Sequence, residues 1–213
     1  MPLNTGNISG RTITLTTEDL YQLAGALHGS ICGGIILGVR MALLGCKMVK
    51  LSNPQHPENR KKLTVLVETD RCATDAIQTV TGCTLGRRTL RVIDYGIMAG
   101  TFINLETAKA VRISIHPDSR ERAKEMLPSV TENKRLYAQA YRSMSDQDLF
   151  VAEEVKVDIN SVGLPGHANK RTACDECREE LVGGYQIVEG QRSLCRRCAR
   201  LPLYYNPLNK LSV

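Results

Sequence analysis

Cysteine carries most of the chemistry open to this chain, which has 8 of them. The plainest pattern is Cys174-Asp175-Glu176-Cys177 followed, after residues 178–194, by Cys195-Arg196-Arg197-Cys198. Two C-x-x-C knuckles at this separation form a structural-zinc pattern: each supplies two thiolates, and four thiolates complete a tetrahedron around a d¹⁰ ion. A second pattern opens a glycine-rich apolar stretch, Leu27-His28-Gly29-Ser30-Ile31-Cys32-Gly33-Gly34. His28 and Cys32 are four apart, so a helical backbone puts two metal-competent groups on one face. The same pair can equally be ordinary core residues, because free cysteine packs as a small hydrophobe. A third thiol, Cys72, stands where a helix is expected to begin, and a helix N-terminus favours thiolate.

The elements around these residues follow from period and punctuation. Thr16 and Asp19 make a capping-box-like start, and Leu20, Leu23, Ala24 and Leu27 follow helical spacing. This first helix delivers His28 to its C-terminal end, where Gly29 breaks it. A second helix is apolar nearly all round, hence buried, and is expected to stop at Gly45 after Leu44. Its Gly34 and Gly38 share a face that admits another backbone closely. Residues 51–60, with two prolines, read as a loop, and Lys62 to Glu68 as a buried strand. A short helix is expected from Cys72 to Gly82. Strands follow at Thr89–Asp94, Ile97–Asn104 (after a tight turn near Gly96) and Ala108–Ile115, the last with Val111, Ile113 and Ile115 on one face. Pro117 and Asp118 start a charged helix, Thr131 caps another through Leu136, Ala140 and Tyr141, and Ser145 caps a short turn. Ala152 to Ile159 alternates as a last strand, and Met1 to Arg11 reads as a frayed terminus.

Composition narrows the function classes. The formal net charge of +6 is too mild to establish a nucleic-acid partner. Aromatic residues are 4% of the chain, with no Trp, so no stacking platform for single strands is evident. The longest apolar run, Ile31 to Leu44, is too short to span a bilayer and contains Arg40. The polar start lacks an apolar signal segment, so a cytoplasmic protein is expected, with cysteines as thiols or metal ligands rather than disulfides. Residues 160–171, bearing Gly163, Pro165 and Gly166, form the clearest linker. They divide the chain into 1–159 and a module with its tail at 172–213. That module is too small to bury an adequate core, so metal must supply much of its stability.

Two longer stretches are more specific together than either alone. One is His28-Gly29-x-x-Cys32-x-Gly34-x-x-x-Gly38-x-Arg40. The other is Glu68-x-x-Arg71-Cys72-x-x-Asp75-Ala76-Ile77-Gln78-x-x-Thr81-Gly82-Cys83-Thr84-x-Gly86, followed by Asp94-Tyr95-Gly96 and Thr101-Phe102. They resemble the E-subunit family of formylmethanofuran dehydrogenase. The Cys-Asp-Glu-Cys and Cys-Arg-Arg-Cys-Ala segments resemble a DksA/TraR-type zinc finger. The family resemblance implies an α+β fold: N-terminal helices packed on an antiparallel-rich sheet, with a small C-terminal zinc ribbon. It implies a homodimer, and possible partnership with the other subunits of a molybdenum or tungsten dehydrogenase in one-carbon metabolism. It also implies a cleft whose polar heart is His28, Cys32, Cys72 and Asp75, with Cys83 nearby and Arg40 in support. There His28, Cys32 and Cys72 would hold a second metal of unassigned identity and leave a fourth position open, while Asp75 orients a ligand or acts as base. The chain departs from the family at Ser30, where a second His is usual, at Gly33, where Pro is usual, and at Ile97, where Lys is common.

Three functions follow as alternatives. One is a metal-binding accessory protein of the kind that resemblance implies. Another is a stand-alone metal- or thiol-dependent enzyme with Cys32 or Cys72 as nucleophile and Asp75 assisting. The third is a zinc-finger regulator touching RNA polymerase or nucleic acid through Arg192, Arg196, Arg197 and Arg200, for which the N-terminal domain offers no matching basic, aromatic stripe.

Overall fold

The computed structural model describes residues 3–8, 11–158 and 171–205. The chain divides into two compact units, Met1–Pro165 and Gly166–Val213. The expected linker lies outside the described residues except for Arg171, which opens a strand.

In the first unit, β1 (Leu3–Ile8) and β2 (Arg11–Leu15) form an antiparallel pair. This replaces the frayed terminus expected from polar composition. Helix α1 (Thr17–His28) starts in a complete capping box between Thr16 and Asp19 and ends on Gly29 at φ 89°. Helix α2 (Gly33–Met48) runs past Gly45 rather than stopping there. Gly45 is a packing residue: a Cβ on it would lie 2.4 Å from the Phe102 ring. Strand β3 (Leu63–Val67) and helix α3 (Cys72–Thr81) follow, with Gly82 closing α3 at φ 67°.

The remaining elements are β4 (Leu90–Val92), β5 (Ala99–Asn104), β6 (Ala110–Ile115), α4 (Ser119–Met126), α5 (Asn133–Ser143), α6 (Asp146–Leu149) and β7 (Phe150–Glu154). Five strands form one sheet in the order β4-β3-β5-β6-β7. Strand β4 runs parallel to β3, and the other three ladders are antiparallel. Although β4 and β5 are consecutive, they do not pair; β3 lies between them. The crossover through α3 makes this possible, since parallel neighbours need a long connection. Strand β7 starts earlier than expected, because its register on β6 runs from Phe150 opposite Ile115 to Glu154 opposite Val111; Ile159 lies outside the described residues.

The helices pack on one face of this sheet, so the α+β class with an antiparallel-rich sheet holds. Leu20, Ile35, Ile36, Val39, Ile77 and Ile113 belong to one buried cluster that joins helices to sheet. Helices α2 and α3 approach closely. A Cβ on Gly38 would lie 2.6 Å from the Ala73 carbonyl oxygen, and one on Gly34 2.9 Å from Cys72 Cβ. The glycine stripe therefore sets how near the start of α3 comes to the start of α2.

The second unit holds β8 (Arg171–Ala173) paired with β9 (Glu180–Val182), and β10 (Ile187–Glu189) paired with β11 (Arg192–Leu194). The first knuckle lies between β8 and β9, and the second directly follows β11. Cys174, Leu194 and Cys195 make a small buried cluster. No helix among the described residues is long and apolar enough to cross a membrane.

Candidate metal centre and adjoining cleft

Three helix ends meet at one point. His28 is the last residue of α1, Cys32 is the N-cap of α2, and Cys72 is the first residue of α3. Their ligand atoms all lie within 4.8 Å of one another. His28 and Cys32 do not share a helix face, as their spacing suggested. Gly29 ends α1 in a left-handed residue, and the turn through Ser30 and Ile31 folds Cys32 back towards His28. Cys72 arrives from far along the chain because the glycine stripe lets α3 settle on α2.

Asp75 stands one turn after Cys72, and its Oδ2 lies 2.8 Å from His28 Nδ1. An ionised carboxylate only accepts, so Nδ1–H donates and Nε2 keeps its lone pair for another partner. This is the arrangement by which outer carboxylates orient metal-binding imidazoles. Both groups are partly open to solvent, at 25% for His28 and 46% for Asp75. Gly34 makes room for Cys72: a Cβ there would sit 2.9 Å from Cys72 Cβ, while both sulfurs would lie at ordinary contact, 3.6 Å. Burial, and then the Cys32 thiol beside it, raise the Cys72 thiol above its ordinary value. That runs against the expectation from its place at a helix N-terminus: the lowering pull of its own backbone amide is the smaller influence.

Other residues tied to this region take different places. Cys83 is buried elsewhere in the core, its thiol donating to the Leu63 carbonyl at 3.6 Å. Burial pushes its pKa up to about 11. Arg40 donates to the Tyr141 and Met144 carbonyls and pairs with Asp146, which ties α2 to the end of α5. Ser30 is exposed in the turn. Ile97 is 43% exposed, and its amide donates to the Glu68 carbonyl.

A cleft of about 390 Å³ opens beside Cys32. Gly33 and Gly34 line its inner end, and Tyr137 and Tyr141 form a wall. The two rings stack with centroids 5.4 Å apart. A Cβ on Gly33 would lie 2.9 Å from Tyr137 Cβ, so glycine lets α5 close on the start of α2 here. Sequence reasoning placed Tyr141 on a helix but did not connect it to the site; two tyrosines four apart on α5 were the available signal.

In the second unit, Cys174, Cys177, Cys195 and Cys198 form another group whose sulfurs lie within 4.8 Å of one another. Backbone amides point at the sulfurs: Cys195 N–H donates to Cys174 Sγ at 3.3 Å, and Cys198 N–H to Cys195 Sγ at 3.4 Å. The Cys177 amide first, with others, draws the Cys174 thiol down to about 6. Both groups could hold a metal ion. Asp175 accepts from the Ser193 amide at 2.6 Å and so joins the two hairpins.

The family model described as "FmdE, Molybdenum formylmethanofuran dehydrogenase operon" matches residues 27–151, more than half of the chain. The chain belongs to the FmdE family. The matched residues include His28, Cys32, Cys72 and Asp75 and leave out the four-cysteine unit. Among solved structures, the chain is similar to a tungsten formylmethanofuran dehydrogenase FmdE-like protein of Syntrophus aciditrophicus. That match has 23% identity and a TM-score of 0.60, covering 92% of this chain and 97% of that one. At this identity it supports the fold alone. The chain is also 29% identical over 198 residues to a probable S-adenosyl-L-methionine-binding protein of Archaeoglobus fulgidus, covering 84% of this chain. It spans about half of that relative, 52% of its length.

Proposed function

We propose that this FmdE-family chain is a metal-binding accessory protein with two metal centres. His28, Cys32 and Cys72 hold a transition-metal ion in the first unit. Cys174, Cys177, Cys195 and Cys198 hold a structural zinc in a ribbon of the DksA/TraR type. The observation that carries this reading is the meeting of one imidazole and two thiols from three helix ends, with their ligand atoms within 4.8 Å of one another. Two sulfurs and one nitrogen suit zinc or another borderline metal. Three protein ligands leave one position for water or a bound molecule, as in catalytic rather than structural zinc sites. A bound ion would supply Lewis-acid polarisation at that position. Asp75 holds His28 in the tautomer the site needs, and Gly34 lets Cys72 come close to the start of α2.

The family's operon description, which names a molybdenum formylmethanofuran dehydrogenase, supports association with the subunits of such a molybdenum or tungsten enzyme; we read the chain as a cytoplasmic homodimer in one-carbon metabolism. A second reading, a stand-alone metal- or thiol-dependent enzyme using Cys32 or Cys72 with Asp75 assisting, is favoured by the cleft of about 390 Å³ beside Cys32. The zinc-finger regulator has less support, since of its four arginines Arg192 pairs with Glu176 at 2.9 Å and Arg196 donates to the Pro202 carbonyl at 2.8 Å.

Metal analysis of the purified chain tests the proposal. Two ions per chain are expected in the wild type and one in Cys72→Ser, with the ribbon's ion kept. A Cys72→Ser variant with the wild-type metal content would remove the first-unit site.

A further inference from the structure

The cleft beside Cys32 has a polar composition that the metal site does not explain. Among the described residues, no carboxylate lines it, whereas Arg120 and Lys134 stand at its exposed rim. Neither cation is in an ion pair with any described residue. His116, also in the lining, accepts the Asp118 amide on Nδ1 at 3.1 Å, which leaves Nε2–H as a donor.

The decisive residue is Ser119, the first of α4. It lines the cleft, is 1% exposed, and its Oγ has no hydrogen-bond partner. The Tyr141 phenol feels this hydroxyl, and the Arg120 charge, as influences favouring ionisation, although burial prevails and raises its pKa. By ordinary hydrogen-bond geometry, Ser119 Oγ is nevertheless without a partner among the described residues. Leaving a buried hydroxyl unmatched is costly, and such orphans call for an explanation. Here the orphan lies in a cleft that gathers cations and donors and no anion. The opposite wall offers a tyrosine face, and the volume falls within the range of small-molecule sites.

We infer that this cleft binds a small, flat-bodied organic anion: its carboxylate or phosphate sits at Ser119, Arg120 and Lys134, its body lies against the Tyr137–Tyr141 wall, and its other end reaches Cys32. The inference rests on the proposed metal site only for what that inner end meets. A ligand held in this way presents its uncharged end to the open position of the ion, while its charge fixes the orientation.

Calorimetric titration of the intact chain with para-hydroxybenzoate and with phenyl phosphate reads the anionic end, and benzyl alcohol is the neutral control. Saturable binding of at least one anion and none of the alcohol is expected, the tighter anion telling carboxylate from phosphate. The double variant Arg120→Ala, Lys134→Ala weakens binding roughly tenfold or more. Ser119→Ala weakens it several-fold without lowering thermal stability, because the removed hydroxyl satisfies nothing in the protein. The inner end is read in the cobalt(II)-loaded chain, where relaxation of the bound probe's ring protons should be strong and should fall in Cys72→Ser, which keeps the ribbon's ion. Anion binding that ignores both sets of substitutions overturns the inference whatever the metal content. Binding that responds to them, but with equal proton relaxation in wild type holding two cobalt ions and in Cys72→Ser, overturns the reach to Cys32. A wild type that loads only the ribbon's cobalt overturns the metal reading instead, and the calorimetric arms then decide the anion site alone.

Discussion

Replacing Gly38 by alanine tests the link between helix packing and the proposed metal site. The added Cβ would meet Ala73 O at 2.6 Å, Ala73 Cα at 2.7 Å and Ala76 Cβ at 2.7 Å. Two of these atoms are backbone and cannot swing aside. Restoring ordinary contact, about 3.5 Å, requires α2 and α3 to part by roughly 1 Å. Overpacking of this kind costs about 1–3 kcal/mol, and alanine's better helix propensity returns about 1 kcal/mol. A net loss of up to about 2 kcal/mol lowers Tm by up to roughly 8 °C in a chain of this size. The displaced helix begins with Cys72 and carries Asp75, so the same shift moves one sulfur away from Cys32 and pulls on His28. Metal affinity of the first-unit site should fall roughly tenfold or more, in line with other losses of ligand support. Cobalt(II) titration followed by its thiolate charge-transfer absorption reads this directly, with Cys174→Ser as background to silence the ribbon. Gly45→Ala is the control. It lies further along the same helix stripe and collides with the Phe102 ring at 2.4 Å, but no ligand rides on β5. It should destabilise the fold and leave metal affinity alone. If Gly38→Ala loses stability yet binds cobalt as the wild type does, or if both variants lose affinity equally, the glycine stripe does not position the site.

Two further outcomes follow from particular residues. Asp75→Asn removes the carboxylate that fixes Nδ1–H on His28, so zinc affinity measured against a chromophoric chelator should drop roughly 10- to 100-fold; an unchanged affinity refutes the orienting role. Cys83 is neutral and buried, with its pKa raised from 9.0 to about 11. A pKa raised by folding contributes stability that is complete below the unfolded value and is lost as pH climbs through the folded one. Unfolding free energy should therefore decline between about pH 9 and pH 11, by about 3 kcal/mol from this thiol. Cys46, raised by burial and then by Cys83, acts in the same sense. Urea denaturation across that range should give a flatter dependence in Cys83→Ala, and identical slopes would show that the thiol plays no part.

The division between what was readable in the chain and what was not follows the range of the forces involved. Local rules located α1 and α3 closely, because capping at Thr16 and left-handed closure at Gly29 and Gly82 depend on a few neighbouring residues. The same holds for the four ribbon cysteines, whose spacing alone implies that their sulfurs meet. The stripe of Gly34 and Gly38 was also visible as a place where a backbone approaches, although not which one. Gly45 misled: a glycine in a helix reads as a stop, and only the Phe102 ring against it explains why the helix continues.

By itself, the sequence marked the candidate ligand types, the helix ends that carry His28 and Cys72, and the family to which the chain belongs. Tertiary structure alone decided how those ends meet. His28 and Cys32 come together through a turn rather than along one helix face, and Asp75 reaches His28 across 47 positions. The sheet order with β3 between β4 and β5, and the cleft between the start of α2 and the α4–α5 pair, are likewise products of packing. Periodicity records which side of an element is apolar. It carries no information on which distant element covers that side, and for the candidate site and its cleft that choice is made by close-packed contacts such as Gly38 on Ala73 and Gly33 on Tyr137.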